Sequence, residues 1–195
     1  EMLRSLVGSE MCIRDSGELL QLSNVSNHSF SETVYFDVIR KKTAALFAAC
    51  TEAAAYSVGV SEEEVKLARL LGEYIGICFQ IKDDIFDYFD SKEIGKPTGN
   101  DMLEGKLTLP VLYALNRAND NQAAEIALKV KEGTATLAEI ARLIAFTKEN
   151  GGIEYAVRTM NAYKQKAFGL LASLPDSAIC VALRSYLDYV VDREK

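Results

Sequence analysis

The residues best suited to chemistry lie in one acidic segment, Gln80-Ile81-Lys82-Asp83-Asp84-Ile85-Phe86-Asp87. If this segment is helical, Asp87 lies about one turn after both Asp83 and Asp84, so we expect the carboxylates on one helix face. Like charges at this spacing repel each other, and the C-terminal end of a helix also disfavours anions. Aromatic and aliphatic residues flank the acids, which makes full solvation of every carboxylate unfavourable. The pattern therefore predicts a bound cation.

The oxygen-only donor set indicates which cation this is. Mg²⁺ keeps several waters and binds through a few carboxylates together with substrate phosphates. An EF-hand is excluded, because the sequence has no Asp-x-Asp-x-Asp-Gly loop with a closing Glu. We therefore predict that Asp83, Asp84 and Asp87 bind Mg²⁺, and the alternative is a solvated acidic helix end.

Three lysines are candidates for the second half of such a site. Lys96 and Lys106 follow the acids in a glycine-rich loop at residues 91–106, and Lys42 lies on an earlier helix with several alanines. Carboxylate-bound Mg²⁺ beside lysines forms a diphosphate clamp, in which the metal bridges phosphate oxygens and the ammonium groups neutralise the remaining charge. The alternative for any single lysine is an exposed solubilising charge. We interpret three other lysines in that way: Lys41, Lys92 and Lys131.

The elements that position these residues are predicted to be helices. Apolar positions recur with helical spacing nearly throughout, and alternating strand patterns are absent, so we predict an all-α bundle of roughly seven helices. Two capping boxes, beginning at Ser61 and Thr136, mark helix starts, and Pro110 suits a first helical turn. We expect helices over residues 31–59, 61–90, 110–118, 121–131, 136–150, 153–173 and 177–192. Residues 1–16 fit this pattern poorly and are left unassigned; foreign sequence would explain them.

Composition excludes several classes of protein. The net charge of −6 argues against a general nucleic-acid binder, and no apolar run approaches the roughly 20 residues that span a bilayer. Four scattered cysteines without a CxxC pair rule out zinc ribbons and thioredoxin-like sites. Cys50 and Cys78 have apolar neighbours, which favours buried thiols in a reducing, cytoplasmic compartment. Because the single histidine, His28, lies in a polar loop, the chemistry must use carboxylates, lysines and amides.

The acidic segment and its following loop have a known counterpart. Phe79 to Asp87, followed by Gly95-Lys96-Pro97, Asn100-Asp101 and Glu104 to Pro110, resembles the second aspartate-rich motif of the trans-type polyprenyl diphosphate synthases. The resemblance continues through about residues 17–195. It rests there on Gly17-Glu18-Leu19-Leu20-Gln21, Lys41-Lys42-Thr43-Ala44, Asn150-Gly151-Gly152 and Leu174-Pro175.

This resemblance implies an isoprenoid synthase-type helical bundle that joins an allylic diphosphate to isopentenyl diphosphate with Mg²⁺. It implies that Asp83, Asp84 and Asp87 serve one Mg²⁺ position, with Asp83 as the direct ligand. It also implies a homodimer for the full-length enzyme. It implies that residues 17–195 are the C-terminal part of a polyprenyl synthase domain.

The resemblance also assigns roles to residues outside the acidic segment. Lys42, Lys96 and Lys106 would hold the departing diphosphate. Thr43 and Gln80 would line the path of the carbocation, where hydroxyl and carbonyl dipoles stabilise positive charge without trapping it as a nucleophile would.

The sequence departs from the family at its beginning, because only residues 1–16 precede the segment that follows the family's first aspartate-rich motif. We therefore interpret the chain as the C-terminal part of a synthase, with N-terminal helices missing, and expect negligible catalysis from it alone. Two other functions remain open. One is a class I terpene cyclase-like diphosphate lyase, and the other is a non-catalytic helical partner subunit of a prenyl synthase.

Overall fold

A computed structural model describes residues 12–21, 23, 30–89 and 98–194, and all regular structure in these ranges is helical. The five-residue π-helix Arg40–Ala44 joins α2 to α3 without a break. The helices are α1 (residues 12–21), α2 (Glu32–Ile39), α3 (Ala45–Ser57), α4 (Glu62–Phe86), α5 (Asn100–Leu103), α6 (Leu109–Ala118), α7 (Asn121–Lys131), α8 (Leu137–Glu149), α9 (Gly152–Ala172) and α10 (Ala178–Asp192). None of these helices is long and apolar enough to cross a bilayer.

Local capping signals place most of the helix starts where the sequence predicts them. At the start of α4, Ser61 and Glu64 exchange hydrogen bonds between side chain and main chain, with N···O distances of 2.9 and 3.3 Å. Thr136 and Glu139 form the second capping box, and Pro110 lies in the first turn of α6. The seven predicted helices are confirmed, with α2, the π-helix and α3 forming the first.

Two features of the helices differ from the prediction. α4 ends at Phe86 rather than near Asp90, and the chain continues in turns closed by the amides of Tyr88 and Phe89. The loop predicted over residues 91–106 contains the short helix α5, and its residues 91–97 lie outside the described part of the chain.

The helices divide into two compact units. In the part of the chain described, the first unit holds residues 12–19, 37–82 and 159–194, and the second holds the remaining residues. α4 therefore contributes its long N-terminal part to the first unit and its last turn to the second. Each unit is described separately below.

The first unit brings α3 and α4 into unusually close contact. Ala44 and Ala48 are buried, and a Cβ atom added to Gly76 would lie 2.6 Å from Cα of Ala44. The alanine strip of α3 is therefore used in packing within the chain. Cys78 is also buried, and burial raises the pKa of its thiol to about 12. The prediction of a buried Cys50 is wrong, because that thiol is exposed on α3.

The second unit has its own apolar core, around which α6, α7 and α8 pack. Lys131, predicted to be an exposed charge, is buried at the end of α7, with its ammonium 5.9 Å from the centre of the Phe30 ring. Burial lowers the pKa of Lys131. The core residues are Tyr88, Met102, Val111, Leu115, Ala123, Ile126, Ala127, Val130, Ile140, Leu143 and Ile144.

Candidate active site

The acidic segment lies where α4 ends in the second unit. Asp83 and Asp84 belong to the last turn of the helix, and Asp87 follows the last helical residue, Phe86. Asp84 and Asp87 accept hydrogen bonds from different parts of the second unit. We refer to Asp83, Asp84, Asp87 and the nearby Asp101 as the aspartate group.

Asp84 is the most buried member of the aspartate group, with 3% of its surface exposed. Its Oδ2 accepts a hydrogen bond of 2.6 Å from the hydroxyl of Tyr35, which lies on α2 and is also buried. The pKa of Tyr35 is raised well above its ordinary value, first by burial and then by the charge of Asp84 and the hydrogen bond to it. Tyr35 therefore keeps its proton and acts as the donor to a carboxylate that is shielded from water.

Asp87 connects the end of α4 to the start of α5. Its Oδ1 accepts from the backbone N–H of Asn100 at 2.9 Å, and its Oδ2 accepts from that of Asp101 at 3.1 Å. Its main-chain carbonyl accepts from the N–H of Gly99 at 2.9 Å. Gly99 has φ +81°, and an added Cβ would lie 2.9 Å from side-chain atoms of α8. Asp87 thus fixes a turn that only glycine accommodates without strain.

Tyr88 links the aspartate group to the core of the second unit. It is buried, and its hydroxyl lies 3.4 Å from Oγ1 of Thr108. The pKa of Tyr88 is raised above its ordinary value, chiefly by burial; the charges of Asp84, Asp87 and Asp101 raise it further, while the hydrogen bond with Thr108 lowers it. Three carboxylates therefore act on one buried phenol.

Of the two predicted lysines in the loop after the acids, one is described. Lys106 forms an ion pair with Glu104, and its backbone N–H donates to the carbonyl of Asp101 at 2.8 Å. The loop is thus bound to the aspartate group through main-chain contacts on both sides of α5. Lys96 lies outside the described residues.

The other predicted residues lie in the first unit. The π-helix Arg40–Ala44, which we call the lysine segment, carries Lys42 and Thr43. Thr43 Oγ1 donates to Oε1 of Gln80 on α4 at 2.7 Å, so the structure brings these two predicted residues together. Lys42 forms a 3.1 Å ion pair with Glu18 of α1, and both side chains are partly exposed. A short π-helix of this kind is uncommon and often occurs at functional sites.

Within the described ranges, no three His, Cys, Asp or Glu side chains lie close enough to hold a metal ion by themselves. The aspartate group is therefore not a closed protein cage. Its hard oxygen donors nevertheless fit Mg²⁺, which binds through one or two carboxylates and completes its octahedron with waters and phosphate oxygens. The chemistry of the donors, rather than a preformed cluster, supports a magnesium site here.

A sequence model of the polyprenyl synthetase family matches residues 3–147 of the chain. The chain belongs to this family. An octaprenyl diphosphate synthase of Haemophilus influenzae is 36% identical over 190 residues, which cover 97% of this chain and 57% of the relative. Component 2 of heptaprenyl diphosphate synthase from Geobacillus stearothermophilus is 35% identical over 179 residues, covering 91% of this chain and 55% of that protein. The chain thus spans little more than half the length of these relatives.

Solved structures of polyprenyl synthases show the same fold. A geranylgeranyl pyrophosphate synthase from Bacteroides thetaiotaomicron superimposes with a TM-score of 0.94 at 77% identity, covering 97% of this chain and 63% of that one. A polyprenyl synthase from Caulobacter crescentus, crystallised with calcium and isoprenyl diphosphate, gives a TM-score of 0.90 at 31% identity, covering 100% and 60%. The chain therefore has the all-helical isoprenoid synthase fold predicted from its sequence.

Reasoning from the sequence of this polyprenyl synthetase homologue misses three side chains of the site. Tyr35 gives no local signal, because 49 residues separate it from Asp84. Tyr88 reads as one more apolar residue beside the acids. Asp101 stands within the resemblance, and an acid in a glycine-rich loop after three other acids is a usable signal.

Proposed function

We propose that this protein is a Mg²⁺-dependent prenyltransferase, which condenses an allylic diphosphate with isopentenyl diphosphate to a longer trans-polyprenyl diphosphate. The observation that carries the proposal is the aspartate group in a chain of this family. Asp84 is buried, and the hydrogen bonds described for Asp84 and Asp87 come from a phenol and backbone amides, which are neutral donors. Carboxylate oxygens are the hard donors that Mg²⁺ prefers, and waters and substrate phosphates complete its coordination.

The aspartates are proposed to hold Mg²⁺, and Asp83 on the last turn of α4 is the direct ligand. Bound Mg²⁺ would stabilise the negative charge of the departing diphosphate. Asp84 and Asp87 complete this position, and their bonds to Tyr35 and to the α5 amides keep their carboxylates in fixed orientations. The chain's own contribution is therefore a carboxylate arrangement that is ordered before substrate binds.

The lysines are proposed to hold the departing diphosphate, and their present ion pairs are compatible with that role. Lys42 is paired with Glu18, and Lys106 with Glu104, in settings that are partly exposed to water. Exposed ion pairs contribute only about 0–1 kcal/mol, so an ammonium group can exchange a carboxylate for a more highly charged diphosphate at little cost. Lys96 receives the same role from the family resemblance.

Thr43 and Gln80 are proposed to line the path of the carbocation. The 2.7 Å bond between them engages the Gln80 carbonyl oxygen and so fixes the plane of the amide. A fixed amide and hydroxyl supply dipoles without a strong nucleophile, which suits a cationic intermediate that must not be captured.

The proposal is tested by incubating the purified chain with Mg²⁺, farnesyl diphosphate and labelled isopentenyl diphosphate, and by titrating a bisphosphonate calorimetrically. We expect Mg²⁺-dependent bisphosphonate binding that Asp83→Asn weakens strongly. Because the sequence carries a single Asp-Asp-x-x-Asp element, we expect negligible product from this chain alone. Absence of binding at any Mg²⁺ concentration contradicts the prenyltransferase proposal and favours the partner subunit. Release of diphosphate without isopentenyl diphosphate favours the lyase.

We also propose that the full-length enzyme is a homodimer. On α3, opposite the alanines that pack within the chain, Leu46 is 60% exposed and Cys50 is also exposed. An apolar side chain at such a position is compatible with a subunit contact. Light scattering of the full-length enzyme tests this, with Leu46→Glu expected to shift the species toward a monomer; a monomeric full-length wild type contradicts it.

A further inference from the structure

The bond between Tyr35 and Asp84 joins two helices that are distant in the sequence. Tyr35 lies on α2 with 6% of its surface exposed, and Asp84 lies on the last turn of α4 with 3% exposed. Their O···O distance of 2.6 Å is in the range of hydrogen bonds between a hydroxyl and an ionised carboxylate. At this depth, the carboxylate would be costly without a donor.

We propose that Tyr35 is a positioning residue for the aspartate group, which sets the orientation of the Asp84 carboxylate toward a divalent cation. This inference rests on the proposed function. A carboxylate turns about its Cβ–Cγ bond with a broad, roughly two-fold preference, so one fixed oxygen fixes the other. With Oδ2 bonded to the phenol, the plane of the Asp84 carboxylate is set before any cation binds.

The environment of Tyr35 makes its hydroxyl separable from its ring. The ring packs edge-on against Phe36, with 5.3 Å between centroids, and it is buried like a core residue. Tyr35→Phe keeps that packing and removes only the donor. If Tyr35 served packing alone, the substitution would change nothing in cation binding. If it positions Asp84, cation binding weakens by roughly 10–100-fold, the usual result of losing a partner behind a metal ligand.

The same helix offers a matched control. Tyr155 on α9 donates to Oε2 of Glu32, the first residue of α2, at 2.8 Å. Tyr155→Phe therefore removes a second phenol–carboxylate bond that holds α2, but one that does not involve the aspartate group. Loosening of α2 in general would make the two variants behave alike, whereas positioning of Asp84 affects only Tyr35→Phe.

The experiment measures the Mg²⁺ concentration needed for half-maximal bisphosphonate binding, by calorimetry, for wild type, Tyr35→Phe and Tyr155→Phe. Thermal unfolding in EDTA reports folding without metal. We expect a 10–100-fold higher Mg²⁺ requirement for Tyr35→Phe, with bisphosphonate affinity at saturating Mg²⁺ unchanged, and the wild-type value for Tyr155→Phe. An unchanged requirement in Tyr35→Phe, or equal shifts in both variants, overturns the inference. A wild type that binds no bisphosphonate instead contradicts the proposed function, and this inference with it.

A second comparison covers the case in which Tyr35→Phe does not fold. Asp84→Asn removes the buried charge, and adding Tyr35→Phe then removes a donor that no longer faces an ion. If the phenol acts through Asp84, Asp84→Asn and the double variant need the same Mg²⁺ concentration. A further rise of tenfold or more in the double variant shows that Tyr35 acts by another route, which overturns the inference.

Discussion

The aspartate group and the lysine segment hold their polar side chains in different ways. At the end of α4, Asp84 and Asp87 are bonded to a buried phenol and to backbone amides. In the lysine segment, Lys42 forms a partly exposed ion pair with Glu18, and Thr43 Oγ1 donates to Gln80. The described contacts of the aspartate group are therefore made to a buried phenol and to the backbone, whereas the ion pair of Lys42 is partly exposed to water. This difference would suit the roles that we propose for them, a metal position that is ordered before substrate binds and an ammonium group that follows the departing diphosphate.

The largest effect is expected in the aspartate group, from Asp83→Asn. Loss of the proposed direct ligand should raise the Mg²⁺ concentration for half-maximal bisphosphonate binding by at least about 100-fold, more than the loss of an outer partner. Calorimetric titration measures this. The control is Asp176→Asn, which removes the same charge from an exposed residue in the turn between α9 and α10. Equal effects of the two substitutions would reduce the role of Asp83 to general electrostatics.

The next effect concerns the packing that supports the lysine segment. Gly76→Ala should destabilise the protein by about 1–3 kcal/mol, because the new Cβ would meet the backbone of Ala44 at 2.6 Å. Gly169 on α9 is the matched control, since no atom lies within 4 Å of a Cβ built there. Gly169→Ala should stabilise by roughly 0.5–1 kcal/mol through helix propensity. Urea denaturation measures the free energy of unfolding of both variants. If Gly76→Ala left that free energy unchanged, α4 and the lysine segment would be packed less tightly than the structure indicates.

Asp87→Ala tests whether the aspartate group also orders the loop that contains α5. The substitution removes the acceptor of two α5 amides and should cost roughly 0.5–2 kcal/mol, as for a lost helix cap. Hydrogen exchange should accelerate at Asn100 and Asp101. Asp120→Ala is the control, because Asp120 caps α7 by accepting from Ala123 N–H. If Asp87→Ala leaves both α5 amides protected, the loop is ordered by other contacts.

Local rules predict much of this fold. The capping boxes at Ser61 and Thr136 and the proline at the start of α6 depend on residues within one turn, and the structure confirms all three. Rules that consider only residues within one turn cannot predict where α4 ends. That helix stops at Phe86 because Asp87 bonds to amides 13 and 14 residues later. The contacts that end a helix can therefore come from a part of the chain that no local pattern includes.

The site residues show the same limit. The sequence identifies the acids and groups Thr43 with Gln80 through the family resemblance, and the structure brings that pair together. The sequence does not identify Tyr35, whose partner is 49 residues away. Nor does it identify the π-helix, which lies where α4 approaches the backbone of Ala44. The prediction of an exposed Lys131 is wrong for a related reason, because the burial of this residue depends on contacts such as that with Phe30 rather than on its own helix.

The smallest effect is expected from Glu18→Gln, which tests the lysine segment directly. The ion pair of Glu18 with Lys42 spans 3.1 Å between side chains that are 46% and 30% exposed. An exposed pair of this kind contributes about 0–1 kcal/mol, so the free energy of unfolding should fall by less than about 1 kcal/mol. Released from this carboxylate, Lys42 should bind a bisphosphonate up to about threefold more tightly, which calorimetry at saturating Mg²⁺ measures. Weaker binding would show that Glu18 holds Lys42 in place, and the lysine segment would then be as ordered as the aspartate group.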